Sequence, residues 1–166
     1  QTKRDLYGLM DAIAKLYQQK LTSDIPSQSY LQQRGLSEEI IRRFEIGFAP
    51  NAFDTVLKQF GSSAEETQKL IDTGMLSRNE NGKVYRHRVM FPIRDKRGRV
   101  IAFGGRVMGD ERPKYLNSPE SVIYHKGSEL YGLFQVLQQD ENPTSLLVVE
   151  GYMDVLSCHN AGVTNV

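Results

Sequence analysis

Glu150 and Asp154 are the residues of this chain whose types and spacing speak most directly of chemistry. A short apolar run, Leu146-Leu147-Val148-Val149, leads into Glu150 and Gly151, and Tyr152, Met153 and Asp154 open what reads as a helix. Carboxylates at strand ends of this kind point into the crevice where parallel α/β folds hold ligands. Asp154 follows Glu150 by one helical turn, so both can face one crevice, as a metal-assisted site requires. Such a site needs acidic arms from more than one direction, and the spacing predicts part of a site rather than the whole. The plainer roles are also open: Glu150 capping the following helix, and Asp154 as a first-turn acid favoured by the helix dipole.

The opposite charge lies upstream. Between Arg78 and Lys126 twelve Lys/Arg face five Asp/Glu, a net +7, while the rest of the chain holds nine against fifteen, a net −6. The overall charge of +1 hides this division, and no Lys or Arg follows Lys126. The basic segment also carries glycines and tyrosines, which suits a face that binds a polyanion. Lys96, Arg97 and Arg99 read as a solvated hairpin tip. Composition is that of an ordinary soluble protein, and 166 residues suffice for one domain or a little more. Cys158 is the only cysteine, and with His87, His125 and His159 it matches no zinc-ligand spacing. The apolar run is too short to span a bilayer and no signal-peptide pattern opens the chain, so the expected location is cytoplasmic.

The elements that must position these residues read as α+β. Helices are expected over about 3–74: to about Lys20 after a Thr2/Asp5 capping box, from Ser27 to Arg34, after Ser37 with a stop at Gly47, from Ala52 to Phe60, and after the Ser63/Glu66 capping box to Gly74. Antiparallel strands follow over about 84–108, with Asp95-Lys96-Arg97-Gly98 as the turn and Pro92 at an edge or bulge. Residues 109–139 read as a polar loop and then a helix from Leu130. From 143 to 166 a strand at Leu146–Val149, a helix at Tyr152–Asn160 and a strand from Val163 open a βαβ unit.

Several segments occur together in a fixed order: Tyr30-Leu-Gln-Gln-Arg-Gly35, Phe44-Glu-Ile-Gly-Phe-Ala-Pro50, Arg88-Val-Met-Phe-Pro-Ile with Phe103-Gly-Gly-Arg106, Pro113-Lys-Tyr-Leu-Asn-Ser-Pro119, and Val149-Glu-Gly-Tyr-Met-Asp154. With them the chain resembles, over nearly its whole length, the bacterial replicative DNA primase of the DnaG type. The resemblance implies that residues 1–142 are the N-terminal subdomain of a primase catalytic core and 143–166 the truncated start of its Toprim domain. It implies a DNA-directed RNA polymerase, a nucleotidyltransferase that makes short RNA primers on single-stranded DNA from nucleoside triphosphates, with Mg2+ or Mn2+, at the replication fork. Glu150 then matches the metal-holding glutamate, with Asp154 beside it. Arg34, Arg106, Lys114, Tyr115, Asn117 and Lys126 match residues lining a basic groove for nucleotide and nucleic acid, and Arg86 and Arg88 are further candidates. The family pairs its glutamate with an Asp-x-Asp motif, which occurs nowhere in this sequence. It also has a zinc-binding module and, in the complete protein, contacts with the replicative helicase and single-strand binding protein.

This chain alone is therefore expected to be inactive and to hold no metal tightly. Its C-terminal segment is expected to be poorly ordered or to pair with a neighbour through an open edge. Two alternatives compete. Another Toprim protein would share the strand-Glu-Gly element but not the Lys-Tyr-Leu-Asn-Ser-Pro loop. A non-catalytic nucleic-acid-binding or scaffold module would need no Asp-x-Asp. At single positions, Arg106 could instead salt-bridge Asp110 or Glu111, and Tyr115 could be packing.

Overall fold

The structure, a computed structural model, describes residues 2–52, 54–77 and 85–166. Arg78, Glu80 and Lys83 of the basic segment, and Val84 where extended structure was expected to begin, lie outside the described residues. So does Phe53, inside the helix expected over 52–60.

Helix α1 (Lys3–Thr22) buries Leu6, Met10, Ile13, Tyr17 and Leu21, three or four residues apart, on one face. Thr2 stands at its N-cap without a side-chain cap bond, so the expected capping box does not form. Helix α2 (Ile25–Gln33) starts before Ser27, because the Asp24 carboxylate accepts from the Ser27 amide at 2.9 Å and Pro26 sits in the first turn, where no donor is needed. Ser37 caps α3 (Glu38–Arg43) as expected. That helix stops at Phe44 rather than at Gly47. The turn is made by Glu45, whose φ of 54° is unusual for a side-chain-bearing residue, and an ion pair to Arg94 anchors it. Gly47 instead opens β1 (Gly47–Ala49), a strand missing from the sequence reading. A Cβ at Gly47 would lie 2.6 Å from the Tyr17 Cβ, so α1 can cross β1 only over a glycine.

Helices α4 (Thr55–Phe60) and α5 (Ala64–Asp72) follow. Ser63 caps α5, but the Glu66 carboxylate reaches the Ser62 amide rather than that of the cap. The expected hairpin is β2 (Arg88–Arg94) and β3 (Val100–Val107), with Asp95 accepting from the Arg97 and Arg99 amides at 3.0 Å. Beyond β3 lies β4 (Tyr115–Asn117), inside the region expected to be loop; short polar strands carry too few alternating apolar residues to announce themselves. The sheet order is β1-β2-β3-β4, antiparallel throughout. Pro92 pairs across to Phe103 beyond the reach of β1, next to an irregularity at Ile93/Arg94, and its missing donor breaks no second ladder. Helix α6 (Leu133–Gln139) begins later than Leu130 because Gly132, at φ 90°, forms the turn before it. Helix α7 (Tyr152–Asn160) is the one expected.

Both sheet faces are covered. Met90 and Phe103 pack with Met10, Ile13, Tyr17 and Leu70 on one side, and Val89 and Phe91 pack with Phe44, Phe48, Val155 and Leu156 on the other. Double coverage is why β2 and β3 are almost continuously buried instead of alternating. A buried polar ring ties β4 to β3. Tyr85 OH donates to the Phe103 carbonyl at 2.8 Å and lies 2.8 Å from Ser118 Oγ, which accepts from the Phe103 amide at 3.0 Å. Ser118→Ala leaves the buried Phe103 amide without its acceptor, and we expect a loss of about 1–3 kcal/mol, measured by urea unfolding.

The expected strands at 146–149 and from Val163 do not form a ladder. A single backbone bond, Leu147 N to Asn165 O at 2.8 Å, links the two segments, and Leu147 and Val148 remain exposed. Strands exist by virtue of paired neighbours, and these have one bond between them. At the C-terminal end, Val166 is buried and its backbone oxygen accepts from His159 Nε2 at 3.0 Å.

With Nε2 as donor, His159 Nδ1 is the acceptor facing Arg43 Nη1 at 3.5 Å. Burial first, and then the Arg43 charge, hold the imidazole below its ordinary value of 6.5, against the opposing Val166 bond. The folded protein thus resists a proton that the unfolded chain accepts. Stability is complete above about pH 6.5 and falls as pH drops from there through the lowered folded-state value. Melting temperatures between pH 8 and 5 should fall on the acid side, and less so in His159→Gln.

Candidate nucleic-acid interface

Strand pairing sets the site. Residues opposite one another in an antiparallel ladder point to the same face, and positions two apart share it. Phe91 pairs with Gly104, Val89 with Arg106, Arg106 with Tyr115 and Gly104 with Asn117. One face therefore carries Phe91, Gly104, Arg106, Tyr115 and Asn117 across three strands. The Tyr152 ring, from the first turn of α7, lies over it, stacked on Phe91 at 5.0 Å between centroids and 2° between planes. It occupies the space that a side chain on Gly104 would fill. Its hydroxyl donates to Asn117 Oδ1 at 2.6 Å, and burial pushes that phenol well above its ordinary range. Tyr152 thereby fixes where the preceding residues, Glu150 and Gly151, emerge beside β4.

Arg106 lies at the other end of the same face. It is 6% exposed, its Nε donates to Tyr115 OH at 3.1 Å, and its Nη1 donates to the Val107 carbonyl at 2.8 Å. The guanidinium carbon sits 5.4 Å from the ring centroids of both Tyr30 and Tyr115, and Arg34 lies 5.2 Å from the other partner of that stack, Tyr30. Planar cations held between aromatic rings keep their charge while losing little freedom. Neither Asp110 nor Glu111 pairs with Arg106; among the described residues no carboxylate lies within ion-pair distance of it. The guanidinium instead lines a cleft of about 530 Å³ together with Arg34, Arg112, Lys114, Asp110 and Glu111. A cleft with four cations against two carboxylates focuses positive potential on whatever enters it.

The acidic end is less complete. Glu150 is exposed in a cleft of about 290 Å³ shared with Asn117, Tyr152 and Glu129. Asp154 Oδ2 accepts from the Gly151 amide at 3.2 Å, so this carboxylate closes the helix N-terminus. Glu129 lies in the same cleft, its carboxyl raised by burial and then by Asp95. A hard divalent cation wants six or more oxygens, and no group of three or more His, Cys, Asp or Glu among the described residues could hold a metal. These residues alone do not fit a complete metal site.

The structure brings Arg34, Arg106, Lys114 and Tyr115 together, and Tyr115 reaches the acidic end through Tyr152 at 6.4 Å between centroids. Arg86 and Arg88 line a neighbouring cleft of about 360 Å³ with His87 and Arg112. Arg88 is buried and spends its donors on backbone carbonyls, with Nη2 to Pro113 at 2.7 Å and Nη1 to Lys114 at 3.3 Å, which holds the loop that presents Lys114. Lys126 is exposed on a short 3-10 turn and lines none of these clefts. Sequence reasoning overlooked Tyr30, although Tyr30 and Arg34 at i,i+4 spacing were a signal of a stacked pair. It also overlooked the positioning role of Tyr152, which the glycine pair before Arg106 hinted at. No helix among the described residues is long and apolar enough to cross a membrane.

Fold and site together define an α+β module in which one sheet face joins a basic, tyrosine-walled cleft to an acidic helix start. Residues 16–137 match the family described as DNA primase catalytic core, N-terminal domain, and the chain belongs to that family. The DNA primase of Pasteurella multocida (strain Pm70) is 66% identical over 166 residues, covering 98% of this chain and 28% of that protein. The structure of the DnaG primase catalytic domain bound to ssDNA matches with a TM-score of 0.96 and 54% identity, over 98% of this chain and 52% of that one. The Aquifex aeolicus primase structure, with zinc-binding and RNA polymerase domains, matches with a TM-score of 0.86 and 30% identity, over 96% of this chain and 40% of that one. The chain thus spans 28% of the curated relative and about half of the DNA-bound catalytic domain.

Proposed function

We propose that this chain is the template- and phosphate-binding part of a DNA primase, the DNA-directed RNA polymerase that lays short RNA primers on single-stranded DNA. One observation supports it above the others. Arg106 lies against two tyrosines with no carboxylate partner among the described residues, in a cleft shared with Arg34 and Lys114. Buried cations are ordinarily paired, and one left for an external anion, beside rings that can stack bases, suits a single strand or a nucleotide. Phosphoryl transfer relies on positioning and charge stabilisation, and in this reading these residues supply the positioning. Glu150 is one arm of a magnesium or manganese site that further carboxylates complete, so the isolated chain binds but does not polymerise. The nucleoside triphosphates, the growing primer, the replicative helicase, single-strand binding protein and a cytoplasmic replication fork belong to the complete enzyme. Zinc has no ligand set among the described residues.

The test is fluorescence anisotropy of a labelled single strand at several salt concentrations. Affinity should fall linearly in log K against log salt. Binding that is absent or indifferent to salt would favour the scaffold reading.

A further inference from the structure

The Arg106 cleft and the neighbouring Arg86–Arg88 cleft meet at two residues, Glu111 and Arg112, which line both. Glu111 is thus a carboxylate set among Arg34, Arg106, Lys114 and Arg112 on one side and Arg86, His87 and Arg88 on the other. Its only contact of salt-bridge type among the described residues is a long one to an imidazole, 3.7 Å from Oε1 to His87 Nδ1, and it is an ion pair only when that ring carries a second proton. The other oxygen folds back over Gly109, where a Cβ would meet Oε2 at 2.9 Å, so the absence of a side chain there makes room for the carboxylate. More than half of the Glu111 side chain is exposed. His87 itself is held at φ 54°, a conformation that side-chain-bearing residues keep only when their surroundings impose it.

A carboxylate that lines two cation-bearing clefts, tied to none of the surrounding Arg or Lys by a close ion pair, is in a place an incoming anion could take. We propose that the junction at Glu111 and Arg112 is a further phosphate-binding position, and that the Glu111 carboxylate is its stand-in when nothing is bound. This rests on the reading that the Arg106 cleft receives phosphates. An arriving phosphate displaces the carboxylate outward into solvent, and Arg112, which serves both clefts, is the cation that follows it. The two clefts then form one track, and Glu111 weakens binding to it by having to be moved. The shared chemistry is a phosphate group, either of a strand backbone or of a nucleoside triphosphate.

The discriminating variants are Glu111→Gln and Glu141→Gln. Each removes one negative charge, but Glu141 is exposed and lines neither cleft. Anisotropy with a labelled single strand, and calorimetry with a metal-free nucleoside triphosphate, are run with both variants and the parent chain across a salt series. We expect Glu111→Gln to tighten one or both ligands about 5- to 10-fold at low salt, and Glu141→Gln to change them less than about 2-fold. For the strand, the slope of log K against log salt should steepen by about 0.7, the equivalent of one additional phosphate. An effect on the strand assigns the position to backbone phosphate, and an effect on the triphosphate alone assigns it to nucleotide. Equal effects of the two variants, or none from Glu111→Gln while the parent chain still binds with a normal salt slope, overturn the stand-in and leave the Arg106 cleft standing. No salt-dependent binding by any of the three overturns both.

Discussion

Phe91→Ala should lower the stability of this protein by about 3–5 kcal/mol, the usual consequence of emptying a buried aromatic position. For a chain of this length that corresponds to a fall in melting temperature of roughly 6–20 °C. Phe91 is fully buried on β2, with Tyr152 stacked flat on it and Tyr131 meeting it edge-on at 6.4 Å. Removing the ring takes away the floor on which Tyr152 rests, so the damage extends beyond the core. The Tyr152 hydroxyl would no longer be held against Asn117, and the start of α7, with Glu150 and Gly151 before it, would open. Thermal denaturation gives the first number. Hydrogen exchange at residues 151–156 gives the second and should accelerate by more than exchange in α1 does. A variant that loses stability evenly, with α7 protected in proportion, would mean that Phe91 is core filling and not a platform.

Arg106→Met should weaken single-strand binding about 10- to 100-fold, as expected for one charge-assisted contact of roughly 1.5–3 kcal/mol. Methionine keeps most of the unbranched stem in its buried channel and removes only the charge and the donor fork. The slope of log K against log salt should become shallower by about 0.7, since one phosphate is no longer neutralised. Arg106→Lys separates charge from geometry. It returns a cation, and with it the salt slope, but not the fork that faces Tyr115 OH and the Val107 carbonyl, nor the contact of the guanidinium with the Tyr30 and Tyr115 rings. Affinity should therefore stay several-fold below that of the parent chain. Full recovery by lysine would show that only a point charge is needed there and that the tyrosine sandwich is packing.

These two expectations concern opposite ends of one sheet face, and the pairing that joins them is where sequence reasoning stopped. The turn at Asp95–Gly98, the cap at Ser37 and the start of α7 were legible because each depends on residues a few positions apart. The strands β1 and β4 were not, because a three-residue strand is made by the neighbour it pairs with and leaves almost no periodic trace in its own residues. The same limit hid the end of α3. Glu45 adopts a glycine-like turn, and the partner of its carboxylate is Arg94, far along the chain. Arg88 shows a subtler case, since its type and position suit phosphate binding, but burial sends its donors to the carbonyls of Pro113 and Lys114.

By itself the order of residues determined the α+β class, the uneven distribution of charge and the family likeness, all of them properties of composition, local spacing or contiguous motifs. Tertiary structure alone decided which cations share a cleft, that Tyr30 and Tyr152 belong to the site, that Asp154 caps its own helix, and that Glu111 stands where two basic clefts meet. The reason is physical. Helix caps and turns close over a few bonds, whereas a cleft is assembled from side chains brought together by strand register and by both faces of a sheet being covered, and no local stretch of the chain carries that information.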